Sequence, residues 1–278
     1  MSKPLNGLVF LNTRPAEQLA SLTLPLRELG GEVLELPCLA LELSTPQVAA
    51  SWLRLETALA ESSVKHYLVF TSAYGIKSAV VNGALPGGRY RVPNLAVNLA
   101  VNLAANLVAS LVIGEGTASE ARKSGFSVEL VAEQTNSAGL ASAIISQIDP
   151  LGSKLHLLRG ELASPELSQA LAEAGFGFES YLVYENSLPT VNAAFEANLS
   201  RAKKALLSGQ VELVLFSSSQ AVRNFFEIVG RDFAPLKVGA IGAKTSITAA
   251  SYGCLVEVCP GRSSLDDFVA AIRVYCQR

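Results

Sequence analysis

Leu68-Val69-Phe70-Thr71-Ser72-Ala73-Tyr74-Gly75 is the stretch on which the fold turns, because the chain contains its pattern twice. The counterpart is Leu213-Val214-Leu215-Phe216-Ser217-Ser218-Ser219-Gln220. Each is a short apolar run that ends in hydroxyl residues and then enters a helical pattern. A β-branched and aromatic run of this length reads as a buried strand. The Thr/Ser cluster behind it reads as a helix N-cap, with side-chain oxygens taking orphan N–H groups. Such a junction leaves hydroxyls and free amides at one spot, which suits an anionic ligand. Ordinary caps of an α/β fold account for the same residues, and both readings stand.

Outward from these strands, the rest of the chain is also doubled. Residues 8–11 read as a strand closed by Asn12-Thr13-Arg14-Pro15, where proline suits the first helical turn after a Thr cap. Leu19, Leu22, Leu26 and Leu29 give a helix with one apolar face, kinked at Pro25 and ended by Gly30-Gly31. A strand at 32–36, an extended connector at 37–43 and a helix at 52–59 follow. The order restarts at residue 154, with Leu167, Leu171 and Ala174 as its helical stripe, Gly175 as its stop and 178–184 as strand and connector. Arg159 lies 145 positions after Arg14, Gly175 lies 145 after Gly30, and Phe216 lies 146 after Phe70. Residues 112–117 answer 240–245, and 132–144 answer 260–272. One β/α set is therefore duplicated, and its alternation implies a mostly parallel sheet in each half.

The offset drops from 146 to 128 after the second match, so the first half carries 18 extra residues. Residues 94–111 supply that number as a slipped repeat, NLAV-NLAV-NLAA-NLVA-SL, which belongs to neither half. Its length suits a membrane span, but Asn94, Asn98, Asn102 and Asn106 argue against lipid. A lengthened helix or a surface excursion is expected there.

The totals exclude several classes. The chain has 278 residues, 50 % of them hydrophobic, and a net charge of −2, so it builds real cores without a basic field for nucleic acid. Cys38, Cys254, Cys259 and Cys276 form no C-x-x-C pair, and the histidines are His66 and His156, which leaves little material for a metal site. His156 lies in an apolar strand and reads as a core or edge residue and not a catalytic one. Reduced thiols and a first segment without an apolar signal core point to the cytoplasm. Gly114-Glu115-Gly116 has no third glycine at dinucleotide spacing, and no phosphate-binding P-loop is present.

The set Thr13-Arg14-Pro15, Phe70-Thr71-Ser72-Ala73, Ile113-Gly114-Glu115-Gly116-Thr117, Leu158-Arg159-Gly160-Glu161, Val183-Tyr184, Phe216-Ser217-Ser218-Ser219-Gln220-Ala221-Val222-Arg223 and Ile241-Gly242-Ala243-Lys244-Thr245, in this order, resembles uroporphyrinogen-III synthase. The likeness covers nearly the whole chain apart from 94–111, and rests on joint order and spacing. It implies two α/β domains with parallel sheets: 1–38 with 187–278, and an inserted 39–186. Extended crossover strands at 37–43 and 182–188 would join them as a hinge, with the ligand in a cleft between the domains. It further implies a cofactor-free, metal-free monomer with transient contacts to neighbouring pathway enzymes, and no nucleic-acid or membrane partner.

The implied substrate is hydroxymethylbilane, an open chain of four pyrroles bearing carboxylates. Loss of water gives an azafulvene, which the far pyrrole attacks through its substituted carbon. A spiro intermediate then recloses with ring D inverted, giving uroporphyrinogen III. The protein must hold one folded conformer and help the hydroxyl leave. Thr71, Ser72, Thr117, Ser217, Ser218 and Thr245 are the implied hydroxyl donors to carboxylates, and Gly114, Gly116 and Gly242 would admit close backbone approach. Arg14, Arg159 and Lys244 are the candidate cations, with interdomain or helix-dipole pairing as the other reading of the arginines. Asn136 and Ser137 lend amides or act as plain caps. Tyr184 matches the family tyrosine proposed to assist hydroxyl departure; a packing tyrosine is the other reading. Two departures from the family pattern stand out, Glu115-Gly116 and Ala243-Lys244, and Glu115 is expected to face away from a polyanion. A non-catalytic two-lobed protein binding or sensing a small anion is the competing function.

Overall fold

In the computed structural model, residues 3–59, 64–82, 108–134 and 136–277 are described. Two units emerge: Met1–Ala40 with Ser187–Arg278, and Leu41–Asn186. In chain order the strands are β1 Val9–Asn12, β2 Glu32–Glu35, β3 Ala40–Glu42, β4 Lys65–Phe70, β5 Val108–Ile113, β6 Val128–Ala132, β7 Ser153–Gly160, β8 Phe178–Ser187, β9 Val211–Phe216, β10 Lys237–Ala240 and β11 Leu255–Val258. One sheet has the order β11-β10-β9-β1-β2, the other β3-β8-β7-β4-β5-β6. The pairings β1·β2, β1·β9, β9·β10, β10·β11, β4·β5, β4·β7, β5·β6 and β7·β8 are all parallel.

The two doubled strands explain the cores. Along β4, Leu68 and Phe70 join one apolar cluster while Tyr67 and Val69 join another. Along β9, Val214 and Phe216 join one cluster while Leu213 and Leu215 join another. Successive side chains leave opposite faces of a strand, and both faces here are covered, so the run is continuously apolar. Phe70 meets Phe126 edge-on at 5.4 Å, and Phe216 meets Phe225 at 5.3 Å.

The sheets mix the sequence repeats. Strands β1 and β2 of the first repeat join β9, β10 and β11 of the second, whereas β7 and β8 of the second join β4, β5 and β6 of the first. Both sheets consequently share one spatial order, 2-1-9-10-11 and 8-7-4-5-6, although their chain orders differ.

Several local expectations change. Thr13 does not cap the first helix. Its Oγ1 donates to the Leu215 carbonyl at 2.7 Å, tying β1 to β9, while Pro15 takes the N-cap of a 3-10 turn, Ala16–Gln18. That turn leads into the helix Leu19–Glu28, which runs through Pro25. The extended strand expected at 37–43, by contrast, is present as β3, hydrogen-bonded beside β8. Gly114 begins the helix Gly114–Lys123 and is not in a loop; its φ of +66° explains the glycine at this abrupt strand-to-helix turn.

The supposed insertion also ends too late. Residues 94–107 lie outside the described residues, but Val108, Ala109, Ser110 and Leu111 are buried in β5 and paired with β4. The repeat pattern takes them in because VASL continues its apolar rhythm, whereas the physical element is the run Val108–Ile113.

Candidate functional site

In the Leu41–Asn186 unit, β4 and β7 are neighbours although β5 and β6 separate them in the chain. Strand order reverses there, and ligands of open α/β sheets bind beyond the carboxyl ends at such a point. Thr71 and Ser72 follow β4, Gly160 ends β7, and Tyr184 lies on β8 opposite Gly160. The register slips between Arg159 and Gly160, and irregularities of this kind re-aim side chains at sheet ends.

Tyr184 meets the residues that follow β4. Ser72 caps the helix Ala73–Val81 by backbone position only, without the side-chain bond expected of a cap. Its Oγ instead donates to the Tyr184 Oη at 3.2 Å. The rings of Tyr74 and Tyr184 are 5.9 Å apart, and Lys77 Nζ lies 5.3 Å from the Tyr74 centroid. Tyr184 itself is half-buried, its backbone carbonyl accepting from Glu161 N at 3.1 Å. The phenol is thus fixed by groups from the ends of neighbouring strands.

Other expected residues at this edge are engaged locally. Asn136 caps the helix Ser137–Gln147, its Oδ1 accepting from Gly139 N at 2.7 Å. Arg159 donates to the Ser164 carbonyl and, at 3.3 Å, to Ser168 Oγ. Burial lowers the Arg159 pKa from its ordinary value. Thr117 is buried, whereas Gly116 is exposed with open space where a Cβ would stand. Glu115 pairs with Arg122 of its own helix at 2.5 Å.

The carboxyl edge of the other sheet carries Arg14, Ser217, Ser218, Gly242, Lys244 and Thr245. Ser218 is a true cap of the helix Ser219–Val229, accepting from Ala221 N at 3.1 Å. Arg14 donates to Gln18 Oε1. Gly242 caps the helix Ala243–Ser251, and a Cβ there would stand 2.1 Å from Ser263 Oγ, so this glycine makes room for the protein's own serine. Thr245 is buried and Lys244 exposed. Thr71, Ser217 and Lys244 therefore sit at sheet edges, while Thr117 and Thr245 turn inward.

Two features lie beyond the sequence reading. Gly160 reads there as part of a motif, and the structure gives it a packing role against Tyr184. Asn12 is fully buried, its Nδ2 donating to the Leu19 carbonyl and to Thr23 Oγ1, both at 3.1 Å. An asparagine ending an apolar strand just before Thr-Arg-Pro is the available signal for the second. His156 is in the core, 2.9 Å from His66 and 3.3 Å from the Tyr181 hydroxyl, and burial lowers its pKa to about 3. Among the described residues no group of three or more His, Cys, Asp or Glu could hold a metal ion.

The family model described as uroporphyrinogen-III synthase HemD matches residues 19–270. A uroporphyrinogen-III synthase from Synechococcus elongatus is 26 % identical, with 99 % of this chain and 98 % of that protein covered. A crystal structure of a mutant uroporphyrinogen III synthase from Thermus thermophilus superimposes with a TM-score of 0.57 at 19 % identity, covering 97 % of this chain and 99 % of that one. The Helicobacter pylori uroporphyrinogen-III synthetase gives 0.57 at 14 % identity, with 95 % and 97 % covered. The two structures bear on the fold.

Proposed function

The chain belongs to the uroporphyrinogen-III synthase family, and from that premise we propose that Tyr184, held by Ser72, is the group that helps the substrate's hydroxyl depart. The family's activity is that of a cyclising lyase in tetrapyrrole biosynthesis acting on a small pyrrole substrate, and the match over residues 19–270 carries that assignment. The substrate on this reading is hydroxymethylbilane. Its terminal C–O bond breaks with the electron pair leaving on oxygen, and that oxygen departs as water once protonated. The pyrrole nitrogen supplies electrons to the carbon left behind. The far pyrrole then forms a C–C bond through its substituted carbon; that spiro carbon's older bond to the methylene of the neighbouring ring breaks, and the methylene closes on the far pyrrole's free α-carbon, which loses its proton.

A phenol is protonated near neutrality and donates a hydrogen bond. With Ser72 donating to the Tyr184 oxygen, the phenol's own proton is left for the leaving hydroxyl. Holding reactive ends together supplies up to ~7–11 kcal/mol of such a barrier. We read the carboxyl edge of each sheet as a separate carboxylate-binding set: Thr71, Ser137, Gly116 and Arg159 in the Leu41–Asn186 unit, and Arg14, Ser217, Ser218 and Lys244 in the other. No helix among the described residues is long and apolar enough to cross a membrane. A cytoplasmic monomer that meets adjacent enzymes transiently completes the reading.

The test is a coupled assay with hydroxymethylbilane. Unaided, the substrate closes without inversion to the type I isomer, so accelerated formation of type III supports the reading. An isomer ratio unchanged by the protein replaces it with the anion-binding alternative.

A further inference from the structure

We propose that Gly160 is the positioning residue of the Tyr184 phenol, an inference that rests on the acid reading of Tyr184. A Cβ built on Gly160 would stand 2.3 Å from both Cε2 and Cζ of Tyr184 and 2.7 Å from its hydroxyl oxygen. No carbon pair tolerates that distance, so the ring lies directly on the glycine's backbone. Gly160 and Tyr184 are cross-strand partners, and an aromatic ring folded over a strand glycine is a recurring way of covering exposed backbone. Here that cover has a second consequence. The atoms nearest the missing side chain are those at the reactive end of the ring, and the same oxygen accepts the Ser72 hydrogen bond.

Three contacts therefore locate the phenol oxygen. Gly160 sets its height over β7, Ser72 sets its direction, and the Tyr74 ring closes one side at 5.9 Å. Gly160 is not at a positive φ, so alanine suits its backbone; the neighbour that must yield is the Tyr184 side chain. Swinging about its side-chain bonds, that ring loses both the Ser72 bond and the position of its proton. An error near ~1 Å in such a group costs on the order of a hundredfold in rate.

The experiment uses the full chain. In Gly160→Ala, turnover is expected to fall tens-fold or more, as in Tyr184→Phe, with KM changed less than about threefold because binding groups are untouched. In the Gly160→Ala/Tyr184→Phe double variant, turnover should lie within about twofold of Tyr184→Phe alone, since the two act through one group. Ring-labelled tyrosine NMR, with Tyr184→Phe identifying the Tyr184 signal, should show that signal shifted in Gly160→Ala. An unmoved Tyr184 signal, or multiplicative losses in the double variant, overturns the proposal. A shifted signal with full turnover in both single variants supports the seat and removes Tyr184 as the acid, so the two failures differ. If Gly160→Ala unfolds, adding Tyr184→Ala should restore the melting midpoint by vacating the space. A double variant still unfolded overturns the proposal.

Discussion

Tyr184 joins a serine 112 positions earlier in the chain and a glycine on the adjacent strand. Replacing it with phenylalanine removes the donor and leaves the ring, so turnover should fall tens-fold or more with binding retained; general acid assistance supplies ~10²–10⁴-fold. Steady-state kinetics on Tyr184→Phe decides this, and full activity would take the residue out of the mechanism. Ser72→Ala should have a smaller effect. A hydrogen bond of ~0.5–1.5 kcal/mol corresponds to a roughly two- to tenfold loss of turnover. A Ser72→Ala enzyme as weak as Tyr184→Phe would mean that the serine itself touches substrate. The tyrosine is named from the sequence only through the resemblance, as the match to the family tyrosine. Its partner is not, because Ser72 and Ser218 occupy the same position in the pattern. Ser218 accepts a helix N–H, whereas Ser72 donates to a phenol. At the matching offset of 145, the residue answering Tyr184 is Leu39, buried and without a hydroxyl to offer.

At the scale of elements, the seam between β4 and β7 contains the buried pair His66 and His156. Burial first, then the neighbouring His66 and Lys154, hold His156 down to about 3, with Glu179 opposing. An unfolded chain protonates this ring near pH ~6.5, and the folded one resists. The contribution is therefore complete above about pH 6.5 and is lost as pH falls towards the folded value, by up to ~1.4 kcal/mol per pH unit. Urea midpoints measured between neutrality and mildly acidic pH should decline, and a flat profile would contradict the seam's placement. The β5 element gives a sharper test. Deleting 94–107 should leave a cooperative melt, since β5 begins at Val108. Extending the deletion through Leu111 removes four residues that pair with β4 and should abolish that melt. Phe70→Ala belongs to the same sheet: a fully buried ring against Phe126 whose loss costs about 3–5 kcal/mol, read as a lower melting midpoint.

For the whole molecule, the crossing of repeats has a consequence for folding. The Leu41–Asn186 unit is one continuous segment with its own sheet and two apolar clusters, whereas the other unit draws on both ends of the chain. Expressed alone, residues 41–186 should fold and melt cooperatively by circular dichroism, and should keep the Ser72–Tyr184 contact; a non-cooperative melt would show that the second unit supports the first. The sequence by itself determined the repeat, the α/β alternation, the buried strands at β4 and β9 and the family, because hydrophobic period, capping residues and spacing are properties of neighbours along the chain. Tertiary structure alone decided the order of strands within each sheet, that Thr13 ties two strands, that Val108–Ile113 is one strand, and that Gly160 underlies Tyr184. Those follow from contacts between residues far apart in the chain, where pairing and packing select among caps and turns that look alike locally.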